Sequence, residues 1–194
     1  MAAVLTPQKG AGCLMTVVGP SGVGKDTLIA EAQKALGDRP DIFFVRRTIT
    51  RPADAGGEEH DAVDEATFRQ QLAAGAFAVA WRAHELSYGI PSQARDHVAA
   101  GGLAIVNGSR HALPHIAAAF PVLHVVEITA DSAILARRLA SRGRESAEMI
   151  EARLGRTPPS AAIGQPTTVI DNSGDLSVAT ERLLALISSL RPAC

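Results

Sequence analysis

"GPSGVGKDT", residues 19–27, decides how the rest of the chain is read. Gly19, Gly24 and Lys25 keep the spacing of a phosphate-binding loop. In such a loop the backbone N–H groups of a glycine-rich turn surround phosphate oxygens, and a lysine reaches the terminal phosphates. The flanks agree. "CLMTVV" (13–18) is a short apolar run ending at glycines, as a buried parallel strand does. After the loop, Leu28, Ile29, Ala32 and Leu36 recur at helical spacing, with Gly37 as a stop. A loop between strand and helix receives about half a positive charge from the helix N-terminus. Gly22 and Gly24 carry no Cβ to block an approaching phosphate. Residues Gly19, Pro20, Ser21, Gly22, Val23, Gly24, Lys25, Asp26 and Thr27 therefore form a candidate nucleotide-binding set, with Lys25 also a candidate catalytic residue.

One position departs from the pattern. The residue after the lysine is ordinarily Ser or Thr, whose hydroxyl holds Mg²⁺; here it is Asp26. A carboxylate is a hard oxygen ligand and suits the same ion, directly or through water. Asp26 is the candidate metal ligand. Thr27 beside it keeps a hydroxyl, and the sequence leaves open which of the two contacts the metal.

Outward from the loop, strand-like and helix-like segments alternate. "IFFV" (42–45), "FAVAW" (77–81), "LAIVN" (103–107), "VLHVVEI" (122–128) and "TTVI" (167–170) read as strands. Helical patterns cover 64–75, the stretch from Pro91 to about Ala100, the segment around Pro114, 131–139 and 175–190. The expectation is an α/β fold of the P-loop NTPase type, with a mostly parallel sheet flanked by helices. The 194 residues suit a single kinase-sized domain with a small acceptor-binding insertion at about 46–91 and a lid at about 141–156. Residues 1–12 read as a loose tail rather than a signal peptide. A net charge of −1 gives no broad basic surface for nucleic acid. No stretch approaches the roughly 20 apolar residues needed to span a bilayer. Cys13 and Cys194 suggest no disulfide framework, and a reduced cytoplasmic setting is the default.

Phosphoryl transfer requires positioning and charge neutralisation more than covalent chemistry. Arginines stand in three suitable places. Arg46, Arg47 and Arg51 lie in "RRTITRP", within an aperiodic polar stretch (46–64) read as a long loop. Asn107, Ser109 and Arg110 follow a predicted strand at its carboxyl end, the ligand edge of an open α/β sheet. A charged segment holds Arg142, Arg144, Arg153 and Arg156, with Gly143 suggesting a turn that folds over phosphates. Tyr88, before Gly89, reads as a turn residue, and Trp81 as core.

"GPSGVGKDT", "TITRP", "YGIP", "RGRES" and "VIDNSGDL" occur in the order seen in guanylate-kinase-like P-loop kinases, over about residues 13–190. Asp26, "WRAHELSYG" and "VNGSR" followed by "LP" resemble one branch, the ribose 1,5-bisphosphate phosphokinases of phosphonate breakdown. The resemblance implies transfer of the γ-phosphoryl of ATP, with Mg²⁺, to the 1-phosphate of ribose 1,5-bisphosphate, giving 5-phosphoribosyl 1-diphosphate. It implies that Asp26 is a family feature. It adds Arg142 and Asn172 to the ATP-binding set and Arg144 and Arg153 to the catalytic set. It also implies a small phosphosugar partner contacted by Arg51, Glu59, His60, Tyr88, Asn107, Ser109 and Arg110. Guanylate kinases differ in having an arginine where this chain has Asp54, and a tyrosine in the base-binding loop where "GGEEHDAV" has none. A guanine-reading site lacking its polar partners loses most of its selectivity, which argues against GMP. A nucleoside monophosphate kinase and a non-catalytic guanylate-kinase-like interaction module are the alternatives. The sequence does not give the oligomeric state.

Overall fold

A computed structural model describes residues 12–53, 58–83, 85–140 and 164–190. Strand β1 (Cys13–Val18) is buried along its whole length and occupies the middle of a five-stranded sheet. Its companions are β2 (Ile42–Val45), β7 (Leu103–Asn107), β8 (Leu123–Thr129) and β9 (Thr167–Asp171), in the order β2-β7-β1-β8-β9. Every neighbouring pair is parallel. Apolar runs without alternation form such strands because both faces are covered. Met15 and Val17 face α1 (Lys25–Leu36) and the last helix, α6 (Leu176–Leu190), in a core with Leu28, Ala32, Leu183 and Ile187. Leu14 and Val18 face the other way, toward α3 (Ser92–Ala99) and α4 (Leu113–Ala119), with Ala94, Leu113 and Ile116. Helix α5 (Ser132–Ala140) buries Leu135 in the α1-side core and Leu139 beside Gly22 of the loop. The mostly parallel, helix-flanked α/β architecture read from the sequence is the one observed.

The acceptor-side stretch is more ordered than its polarity suggests. Its described residues include β3 (Arg47–Ile49) and β4 (His60–Ala62), where a loop was expected. With β5 (Phe77–Ala83) and β6 (Leu86–Pro91) they form a second sheet in the order β4-β3-β6-β5. Its β3–β4 pair is parallel, and its other pairs are antiparallel. Tyr88 belongs to β6, opposite Trp81 on β5 and Ile49 on β3, and not to a turn. Helix α2 (Glu65–Ala73) starts at Asp64, whose carboxylate accepts from the Thr67 N–H at 2.7 Å. The expected lid (141–156) and most of the expected tail lie outside the described residues. No helix among the described residues is long and apolar enough to cross a membrane.

Candidate active site

The parallel register sets Asn107 of β7 opposite Val17, and Glu127 of β8 opposite Val18. Both therefore flank the loop that leaves β1 at Gly19. The loop's shape depends on its glycines at two points. Gly24 caps α1 in the left-handed region (φ 96°), and a Cβ there would come within 2.6 Å of Asn172 Nδ2. Gly19 has φ 151°, and its Cβ would meet the Ile128 carbonyl oxygen at 2.4 Å. Asn172, 2 % exposed, stands just beyond β9 and donates from Nδ2 to the Val23 carbonyl at 2.8 Å. Arg138 Nη1 donates to the same oxygen at 3.3 Å. In this arrangement Asn172, expected among the ATP-binding residues, braces the loop through its backbone.

Lys25 folds back onto the loop, donating from Nζ to the carbonyls of Gly19 (3.0 Å) and Pro20 (3.1 Å). Burial lowers its pKa from the usual 10.5 to about 8. Asp26 and Glu58 counter that fall by attraction, and the charges of Arg47 and Arg110 deepen it. Polyphosphate prefers the protonated amine, so binding above about pH 8 must be accompanied by proton uptake. We expect nucleotide affinity to fall by up to tenfold per pH unit above that value and to be flat just below it. Calorimetric titrations at several pH values check this, and a Lys25→Arg variant should move the limb to higher pH.

A hydrogen-bonded chain leads from the loop to the second sheet. Asn107 Nδ2 donates to Asp26 Oδ1 at 2.5 Å and to Glu58 Oε2 at 2.7 Å. Glu58 Oε1 accepts from Arg47 Nε at 3.1 Å and pairs with Arg47 Nη2. The Arg47 guanidinium lies 5.5 Å from the Trp81 ring centroid and 5.2 Å from that of Tyr88. Those rings stack 5.3 Å apart at an interplanar angle of 7°. A second buried pair stands across the loop, where Arg110 Nη2 donates to Glu127 Oε1 at 2.6 Å. Arg110 Nε is buried with no hydrogen-bond partner among the described residues.

The other expected acceptor residues are distributed as follows. Arg51 Nη2 approaches His60 Nδ1 at 3.2 Å, and His60 Nε2 approaches the Arg51 carbonyl at 3.1 Å. His60 is buried and also lies 3.0 Å from the Glu58 carbonyl, so the ring brackets the backbone around Arg51. Arg51 Nε is buried without a partner among the described residues. Glu59 is exposed, and its neighbour Glu58 is the carboxylate that joins the cluster. Ser109 precedes the 3₁₀ turn that carries Arg110. Arg142, Arg144 and Arg153 lie outside the described residues. Sequence reading missed Glu58, Glu127 and the partnership of Arg47 with the Trp81–Tyr88 pair. Of these only Glu127 carried a local signal, as a charge near the ligand edge of an otherwise apolar strand.

A phosphate loop bordered by two guanidinium–carboxylate pairs narrows the comparison to phosphoryl-transfer proteins, and the relatives decide the branch. The chain is 49 % identical over 174 residues to ribose 1,5-bisphosphate phosphokinase PhnN of Agrobacterium fabrum, covering 90 % of this chain and 95 % of that one. It is 43 % identical over 188 residues to the protein of the same name from Rhizobium etli, covering 95 % of each. This chain belongs to the ribose 1,5-bisphosphate phosphokinase family. No family model matches it. Among solved structures, guanylate kinase from Anaplasma phagocytophilum superposes with a TM-score of 0.70 at 16 % identity, over 95 % of this chain and 89 % of that one. A gluconokinase from Sinorhizobium meliloti follows the fold with a TM-score of 0.52 at 17 % identity, over 94 % and 95 %. Within the phosphokinase family, then, the chain keeps the guanylate kinase fold.

Proposed function

We propose that the chain transfers the γ-phosphoryl group of ATP to the 1-phosphate of ribose 1,5-bisphosphate, forming 5-phosphoribosyl 1-diphosphate and ADP. The observation that carries this reading is the placement of two buried guanidinium–carboxylate pairs around the lysine of a phosphate loop. The acceptor atom is a phosphate oxygen, already anionic and nucleophilic, so no side chain has to remove a proton. A P–O bond forms to that oxygen, the bond from the γ-phosphorus to the ADP oxygen breaks, and ADP leaves with the electron pair. The obstacle is repulsion between two polyanions. Charge stabilisation by fixed donors and cations is the means by which proteins lower such a barrier.

The loop N–H groups and the start of α1 hold the donor phosphates, and Lys25 exchanges its loop carbonyls for phosphate oxygens. Arg51 and Tyr88 serve the acceptor's phosphates, while Asn107, Ser109 and Arg110 border the same space. Glu59 is retained for ribose hydroxyls, and His60 acts by placing Arg51. On sequence grounds Arg142, Arg144 and Arg153 complete the donor site as a lid. The residues present suit Mg²⁺. Asp26 offers a carboxylate, and Asn107 Oδ1 is a buried amide oxygen with no hydrogen-bond partner among the described residues. These two side chains would hold Mg²⁺, which would supply neutralisation of phosphate charge. A cytoplasmic setting fits this chemistry.

Purified protein with ATP, Mg²⁺ and a panel of acceptors tests the reading through ADP release. We expect ribose 1,5-bisphosphate to exceed GMP in kcat/KM by at least roughly tenfold, because buried polar groups are left unpaired by the wrong acceptor. Equal or better use of GMP would assign the chain to nucleoside monophosphate phosphorylation. Absence of turnover with every acceptor would favour an interaction module.

A further inference from the structure

Arg47 is 7 % exposed, yet it is not enclosed by its own partners. Nε and Nη2 are committed to a single oxygen, Glu58 Oε1. Nη1 makes no hydrogen bond among the described residues. The parallel Trp81 and Tyr88 rings hold the guanidinium plane by cation–π contact, which suits arginine better than lysine. Both rings are themselves only partly buried. Glu58 does not repel an incoming anion strongly, because Arg47 occupies one of its oxygens and Asn107 the other.

We propose that Arg47 is the specificity-determining residue for the acceptor phosphate that does not react, and that Glu58 is its positioning residue. This inference rests on the phosphokinase reading above. The reacting phosphate has to meet the donor beside Lys25 and Asp26. Arg47 is set back from Asp26 by the Asn107 amide and the Glu58 carboxylate. That offset suits a second phosphate carried across a sugar ring. The partly buried Trp81–Tyr88 pair gives the ring an apolar face to lie against. A fixed guanidinium with open donors prefers a dianionic phosphate to a hydroxyl.

The test uses the full chain with ATP and Mg²⁺, ribose 1,5-bisphosphate as acceptor and ribose 5-phosphate as a dead-end competitor bearing only the remote phosphate. Arg47→Met should raise KM for the bisphosphate and Ki for ribose 5-phosphate together, by about thirtyfold, as expected for loss of a charged hydrogen bond. Its kcat and its KM for ATP should stay within about threefold of wild type. Glu58→Gln should shift the same two constants in the same direction but less, since shape and one acceptor survive. If Arg47→Met fails to fold because Glu58 is orphaned, the Arg47→Met/Glu58→Met double variant replaces it. A fall in kcat with Ki for ribose 5-phosphate unchanged would overturn the inference and leave the pair a structural clamp. A wild-type protein that does not use ribose 1,5-bisphosphate at all would instead defeat the phosphokinase reading.

Discussion

Lys25→Ala should lower kcat by at least roughly a hundredfold while leaving the fold intact. The two halves of that expectation have separate structural grounds. In the structure Lys25 satisfies only the carbonyls of Gly19 and Pro20, in a part-buried loop that water can serve in its place. Its removal forfeits attraction to Asp26 and Glu58 but relieves desolvation and repulsion with Arg47 and Arg110, so the charge effects oppose one another. Little stability is therefore at stake, and thermal unfolding should scarcely change. In the transition state the same ammonium neutralises charge developing on the transferring group, so the loss appears in rate. Single-turnover measurements at saturating ATP separate this from weaker binding. A folded variant with near wild-type turnover would remove the loop from the chemistry.

Arg110→Met should destabilise the protein by about 3 kcal/mol, because it strands Glu127 as a buried charge without its partner. For a chain of this size that corresponds to a fall in Tm of about 6–12 °C. Arg110 and Glu127 are 10 % and 8 % exposed at their side chains, so water offers the orphaned carboxylate little relief. The Arg110→Met/Glu127→Met double variant should regain most of the loss, since an apolar pair of similar volume suits a site beside β1 and β8. Its activity should not return. Arg110 Nε is buried without a partner among the described residues, a donor that an acceptor oxygen can take. Differential scanning calorimetry paired with ADP release checks both statements. A single variant melting within about one degree of wild type would show that the pair contributes no net stability.

The parallel sheet was legible because its signal is local. Each of β1, β7 and β8 is a mostly apolar, largely buried strand, and the glycines after β1 fix where ligand meets sheet. The second sheet was not legible, for reasons visible in particular residues. Strand β3 is three residues long and buries Arg47 and Thr48, so its inward positions do not look apolar. Strand β6 contains Gly89 and ends at Pro91, a combination that reads as a turn. Its strand character comes from pairing with β5 and β3, and pairing across distant segments leaves no periodicity in the segment itself. The same holds for the site. Lys25 and Asp26 were read from the spacing of the phosphate loop, and Asn107 and Arg110 from their place at the carboxyl end of a strand. Glu58 and Arg47 meet across eleven positions of sequence with no motif, and only the folded sheet brings them together.

The brace between Asn172 and Val23 has a consequence for the order in which the protein becomes functional during its own synthesis. The segment holding Gly19 to Lys25 emerges from the ribosome early, but the side chains that fix the Val23 carbonyl, Arg138 and Asn172, lie 115 and 149 positions later. Strand β9 must also be in place before Asn172 can be seated, its N–H on the Thr129 carbonyl. A nascent chain can therefore collapse around β1, β7 and β8 while its phosphate loop still lacks its clamp. Nucleotide cannot act as an early folding template for such a chain; it meets a finished site only after nearly the whole polypeptide has been made.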